Sequence, residues 1–119
     1  MRVVVIGASN KPQRYSYQAT MLLHEKGHKV YPVHMRIKEI EGIRVFSSIK
    51  DISEDIDTIT MYVGKDVSNL IGNDIIEKKP KRIVFNPGAE NSDLGNKAKE
   101  QDIKTINACT LVMLRTGQF

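Results

Sequence analysis

The sequence predicts an α/β domain, one doubly wound parallel sheet of about five strands flanked by helices and occupying residues 1–119. Three observations lead there. Short β-branched runs alternate with stretches of helical period. The stretches between them are long enough for the crossovers that parallel strands need. The first run, Val3-Val4-Val5-Ile6, has no polar face, as befits a strand covered on both sides.

The elements follow in order. After Val3–Ile6 comes a glycine-bearing loop, residues 7–14. Tyr15, Ala19, Leu22 and Leu23 then fall on one helical stripe, and Gly27 sits where a C-terminal cap belongs. Val30–Val33 is a second strand, with Pro32 marking its end. Residues 34–56 are mixed, with a short edge strand at Val45-Phe46 and a helical turn over Ile49–Ser53. Asp57–Val63 alternates as a strand, with Ile59, Met61 and Val63 on one face. Val67, Leu70, Ile71 and Ile75 form the apolar stripe of the next helix, which ends at Lys78-Lys79-Pro80. Ile83–Phe85 is a fourth strand, stopped by Asn86-Pro87-Gly88. Ser92 is read as the cap of a helix reaching Gln101. Thr105-Ile106 is a fifth strand, and Thr110 is read as the cap of a last helix holding Leu111, Val112 and Leu114.

Composition narrows the function. A single cysteine, Cys109, leaves no intramolecular disulfide and no cysteine-rich zinc site. Lys and Arg outnumber Asp and Glu by 18 to 14, a net charge of +4. The charges are interspersed, which suits a small anion and argues against nucleic acid. No apolar run approaches the length of a membrane span, so the expectation is a cytoplasmic protein without a membrane or nucleic-acid partner, acting as a monomer or homodimer.

In a doubly wound sheet, ligands bind beyond the carboxyl ends of the strands. That rim collects the loop 7–14, the turn 33–38, Tyr62-Val63, Asn86-Pro87-Gly88 and Cys109-Thr110. A strand, Gly7-Ala8-Ser9 and then a helix form a phosphate site: backbone N–H groups and the helix dipole both favour an anion. Arg14, a cation in the first turn, opposes that dipole unless a phosphate lies between; otherwise it points into solvent. The dinucleotide fingerprint is absent, because Ser9 and Pro12 stand where its second and third glycines belong. Arg36 and Lys38 suit a further phosphate near a ribose. NADP and coenzyme A both carry one.

The series Gly7-Ala8-Ser9-Asn10-Lys11-Pro12-Gln13-Arg14-Tyr15, Lys26-Gly27-His28-Lys29-Val30-Tyr31-Pro32-Val33, Lys38-Glu39-Ile40-Glu41-Gly42 and Asn86-Pro87-Gly88-Ala89-Glu90-Asn91 resembles the CoA-binding domain family. These are stand-alone bacterial proteins related to the CoA-binding domain of the succinyl-CoA ligase α subunit. The resemblance implies a Rossmann-like sheet that binds coenzyme A. By it, Gly7, Ala8, Ser9 and Arg14 hold the pyrophosphate. Val33, His34 and Lys38 lie beside the adenosine and its 3′-phosphate, and Tyr62, Val63, Asn86, Pro87 and Gly88 line the pantetheine path. One departure stands out: the family has Asn-Pro-Lys after Pro-Val, and this chain has His34-Met35-Arg36.

Two functions remain in view. One is a binding module for coenzyme A or an acyl-CoA without catalysis of its own, since no acid–base pair is evident. The other is an NADP-dependent oxidoreductase, or a CoA-transfer enzyme using Cys109 or Glu90. As a small buried hydrophobe, Cys109 needs no further role. His24 and His28 read as structural or solvated. No spacing suggests a metal.

Overall fold

The computed structural model describes residues 1–119. Strands β1 (Arg2–Ile6), β2 (Lys29–Val33), β5 (Thr58–Met61), β6 (Arg82–Phe85) and β7 (Lys104–Asn107) form one parallel sheet in the order β2-β1-β5-β6-β7. A small antiparallel hairpin, β3 (Glu39–Ile40) with β4 (Ile43–Arg44), stands apart from it. The helices are α1 (Tyr15–Glu25), α2 (Lys65–Glu77), α3 (Ser92–Glu100) and α4 (Thr110–Arg115).

The expected fold is the observed one, and its core is split by the sheet. Alternate side chains of a strand face opposite ways. Val4 and Ile6 join Ile59, Met61, Ile83 and Phe85 against Ile75 of α2 and Leu94 and Ala98 of α3. Val3 and Val5 join Leu23 of α1 and Leu114 of α4 on the other face. All three valines of β1 are fully buried, which makes it the spine of the domain.

Several local expectations need correction. Pro32 lies within β2, paired with Val5. The strand is at the sheet edge, where a missing N–H is tolerated, and the Pro32 carbonyl still accepts from Phe46 N–H at 2.8 Å. Val45-Phe46 is not a strand; Phe46 makes an isolated bridge to Val33, just after the hairpin. The helical turn is a 3₁₀ turn over Ile49–Asp51, capped by the Ser48 hydroxyl. Asn91, not Ser92, caps α3, its Oδ1 accepting from Leu94 N–H at 3.1 Å. Cys109 holds the N-cap position of α4, and Thr110 is already helical. Tyr15, Leu70 and Val112 are exposed rather than core.

Candidate functional site

The strand order reverses between β1 and β5: the chain winds outward from β1 to β2 on one side, and from β5 through β7 on the other. The crevice at their carboxyl ends is where a doubly wound sheet binds its ligand. Gly7, leaving β1, has φ +84°. A Cβ there would meet Val63 Cγ1 at 2.8 Å and the Tyr62 carbonyl oxygen at 2.9 Å. Only glycine lets these two turns approach so closely.

The donors at this corner are not quite those expected. Gly7 and Ala8 N–H both donate to the Val33 carbonyl, at 3.3 and 3.2 Å, so neither is free for an anion. The open donors lie further on. Arg14 occupies the N-cap position of α1 in extended conformation, and its N–H closes the loop onto the Lys11 carbonyl at 3.0 Å. The N–H groups of Tyr15, Ser16 and Tyr17 have no acceptor within the chain. The first turn carries no acidic residue, and the exposed Arg14 and Lys11 side chains form no ion pair. Ser9 Oγ accepts from Lys11 N–H at 3.1 Å, which bends the loop and leaves its hydroxyl proton available. Positive charge and oriented donors thus accumulate at one helix start.

Two cavities meet there. A polar one of about 670 Å³ is lined by Gly7, Ala8, Ser9, Lys11, Arg14, His34, Tyr62 and Val63 among others. A more apolar one of about 530 Å³ lies between the ends of β1 and β2, the 3₁₀ turn and α2, with Ile6, Val33, Ile49, Val63, Val67 and Ile71 in its wall. Gly7, His34 and Val63 belong to both.

The structure therefore brings together eight of the residues singled out in the sequence: Gly7, Ala8, Ser9, Arg14, Val33, His34, Tyr62 and Val63. Lys38, Asn86, Pro87 and Gly88 line neither cavity. Lys38 is exposed at the start of the hairpin. Asn86 is only 2% exposed, and its amide is fully engaged. Its Nδ2 donates to Thr60 Oγ1 at 2.7 Å and to the Met61 carbonyl at 2.9 Å, while its Oδ1 accepts from Thr110 N–H at 2.8 Å. Pro87-Gly88 is a solvated turn, closed by Ala89 N–H on the Asn86 carbonyl at 2.8 Å. Cys109 is half-buried and Glu90 exposed, its Oε1 accepting from Gly88 N–H at 2.9 Å; neither lines the two cavities.

Sequence reasoning missed the apolar cavity. Val67 and Ile71 were expected in the helix's core-facing stripe, yet Val67 is half-exposed at the cavity wall. The apolar stripe on α2 is broader than its buried face, which is Ser68, Gly72 and Ile75, and Val67 and Ile71 of it line the cavity. Two further details shape the site. Tyr62 lays its ring on the polar cavity, but its hydroxyl is buried without a hydrogen-bond partner, and burial pushes the phenol well above its ordinary range. His34 Nδ1 accepts from the backbone N–H of Arg36 at 3.0 Å and of Ile37 at 3.2 Å. No cluster of three His, Cys, Asp or Glu side chains that could hold a metal ion is present, and no helix is long and apolar enough to cross a membrane.

Known proteins resemble this chain in sequence and fold. A family model described as a CoA binding domain matches residues 1–115. The α subunit of an ADP-forming acetate–CoA ligase II from Pyrococcus furiosus is 39% identical over 64 residues, 53% of this chain and 14% of that protein. An ADP-forming acetate–CoA ligase from Methanocaldococcus jannaschii is 28% identical over 109 residues, 87% of this chain and 15% of that protein. The chain thus spans only a small part of these ligases. The crystal structure of an uncharacterized protein superposes with a TM-score of 0.93 at 36% identity, covering 99% of this chain and 97% of that one.

Proposed function

The chain belongs to the CoA-binding domain family, and on that premise we propose that it binds coenzyme A or an acyl-CoA at the carboxyl ends of β1, β2 and β5, as a binding module without catalysis of its own. The observation that carries the reading is the pair of joined cavities, one cationic and rich in free donors, the other apolar. Coenzyme A has both characters: a pyrophosphate and a 3′-phosphate, and apolar surface on its adenine.

The pyrophosphate lies over the start of α1, against the Ser9 hydroxyl, the Arg14 guanidinium and the open N–H groups of the first turn. Each charge-assisted bond there contributes about 1.5–3 kcal/mol. Gly7 and Ala8 shape the floor rather than donate. Val33, Val63 and the apolar cavity receive the adenine, with His34 between base and phosphates. Arg36 and Lys38 meet the 3′-phosphate. The pantetheine arm then leaves along Tyr62 towards Pro87-Gly88, a turn that Asn86 holds from beneath.

Calorimetric titration with coenzyme A, dephospho-CoA and NADPH tests this. Coenzyme A is expected to bind best, with dephospho-CoA weaker by at least roughly tenfold for loss of the 3′-phosphate and its contacts. Negligible heat with both CoA forms, or preferential binding of NADPH, overturns it.

A further inference from the structure

We propose that His34 is a positioning residue that holds its turn as the neutral imidazole, so that ligand binding at this rim weakens as the ring takes up a proton. The proposal rests on the coenzyme A reading for the ligand, but the switch itself rests on the turn alone. Both hydrogen bonds at Nδ1 are accepted ones: the N–H groups of Arg36 and Ile37 point at the same lone pair. The neutral ring therefore carries its proton on Nε2. A proton on Nδ1 would face two N–H donors and break both bonds.

What those bonds hold is the turn 34–37, which forms part of both cavity walls. Ile37 lines the polar cavity; Met35 and Arg36 line the apolar one. No proline stiffens this turn, and Met35 is 83% exposed with nothing packed over it. The imidazole supplies the missing constraint, as an Asn or Asp side chain does when it accepts from the backbone two residues on. His34 N–H itself is anchored to the Phe46 carbonyl at 3.0 Å, so the ring has a fixed base from which to hold the turn.

Lys11 and Arg14 face the imidazole across the polar cavity and Arg36 lies on its own turn; Arg44 stacks over the Phe46 ring at 4.4 Å, and Asp74 of α2 is the one acid across the apolar cavity. A bound phosphate would attract an imidazolium. The proposal is that the geometric loss outweighs that attraction.

The test compares wild type with His34→Asn, whose amide oxygen can accept from Arg36 N–H but takes up no proton. Coenzyme A affinity is measured at about pH 7.5 and about pH 5.5, the interval in which an imidazole changes charge. Titration of the ligand's own phosphate is common to both proteins and cancels in their ratio. Wild type is expected to lose at least about fivefold more affinity than His34→Asn on acidification, the equivalent of one ordinary hydrogen bond. An equal loss, or a relative tightening of wild type, overturns the proposal.

A second measurement needs neither variant nor ligand. Hydrogen exchange at the Arg36 and Ile37 amides of the free wild-type protein, corrected for intrinsic rates, is expected to accelerate on acidification. Unchanged protection overturns the switch. Lost protection with no coenzyme A binding at either pH supports the switch and overturns the coenzyme A reading alone.

Discussion

Two corners of the same rim are built from the same parts and end differently. At β1–α1 a strand meets a glycine loop and then a helix; at β6–α3 a strand meets Asn86-Pro87-Gly88 and then a helix. The first leaves its polar groups open: three helix-start N–H groups without acceptors, and Arg14 and Lys11 without counter-charges. The second turns its strand end inward: Asn91 caps the helix and only the Ser92 and Asp93 N–H groups stay open. Asn86 ties β5, its own strand end and the first residue of α4 into one buried network, completed by Thr60 and Thr110 at 2.7 Å. A polar turn is a candidate for ligand binding when its hydrogen bonds do not close within the chain. When they close, it is a joint.

The sharpest way to break this contrast is at the joint. Asn86→Ala removes the partner of the buried Thr110 N–H and one bond each from Thr60 and the Met61 carbonyl. It is expected to destabilise by about 3 kcal/mol or more in urea unfolding, because unmet buried polar groups carry their full desolvation penalty. Coenzyme A affinity of the folded protein should change less than about twofold, well under one ordinary hydrogen bond. Intact stability with lost affinity would make Asn86 itself a ligand contact rather than a joint.

Gly7→Ala comes next and damages both properties. The positive φ and the clash with the Tyr62 carbonyl together are expected to lower stability by about 2 kcal/mol. Because the displaced segment is the cavity wall, affinity should fall in parallel, which distinguishes it from Asn86→Ala. Arg14→Ala is the converse case. It should weaken coenzyme A by about 1.5–3 kcal/mol in calorimetry, while the melting temperature reports a stability change under about 0.5 kcal/mol. A stability loss with affinity retained would mean the guanidinium serves the fold.

The same distinction explains what could be read from the residues and what could not. Val3-Val4-Val5 announces a buried strand because nothing in it is polar. The glycine loop and Arg14 announce an anion because their chemistry is local. Periodicity failed where small polar side chains are buried and satisfied at short range. Thr20, fully buried in α1, donates to the Ser16 carbonyl at 2.8 Å, and the fully buried Ser68 donates to Lys65 and accepts from Asn91. Hydropathy therefore chose Tyr15 and Leu70, which are 71% and 85% exposed. Asn86 was assigned to the ligand path by resemblance because nothing local shows where its amide bonds close. Those partners, Thr60 and Thr110, are 26 and 24 residues away. The apolar cavity was hidden for a related reason: it exists only where α2, the 3₁₀ turn and two strand ends meet.

Tyr62 stands between the two corners and gives the smallest but most discriminating test. Its ring belongs to the open corner, while its hydroxyl is buried beside Thr60 and Thr110 of the closed one, outside full hydrogen-bond geometry with either. The Thr60 hydroxyl is already bonded to the Thr110 hydroxyl and to Asn86 Nδ2, so the network closes without the phenol. Tyr62→Phe removes a buried group that has no partner to lose, and is expected to raise stability by up to about 1 kcal/mol with coenzyme A affinity unchanged. Thermal unfolding and titration of this one variant read both corners at once. A loss of stability would mean that the phenol completes the network and that the joint extends into the cavity wall. An affinity loss at constant stability would mean instead that the hydroxyl turns outward to the ligand, and that Tyr62 belongs wholly to the open corner.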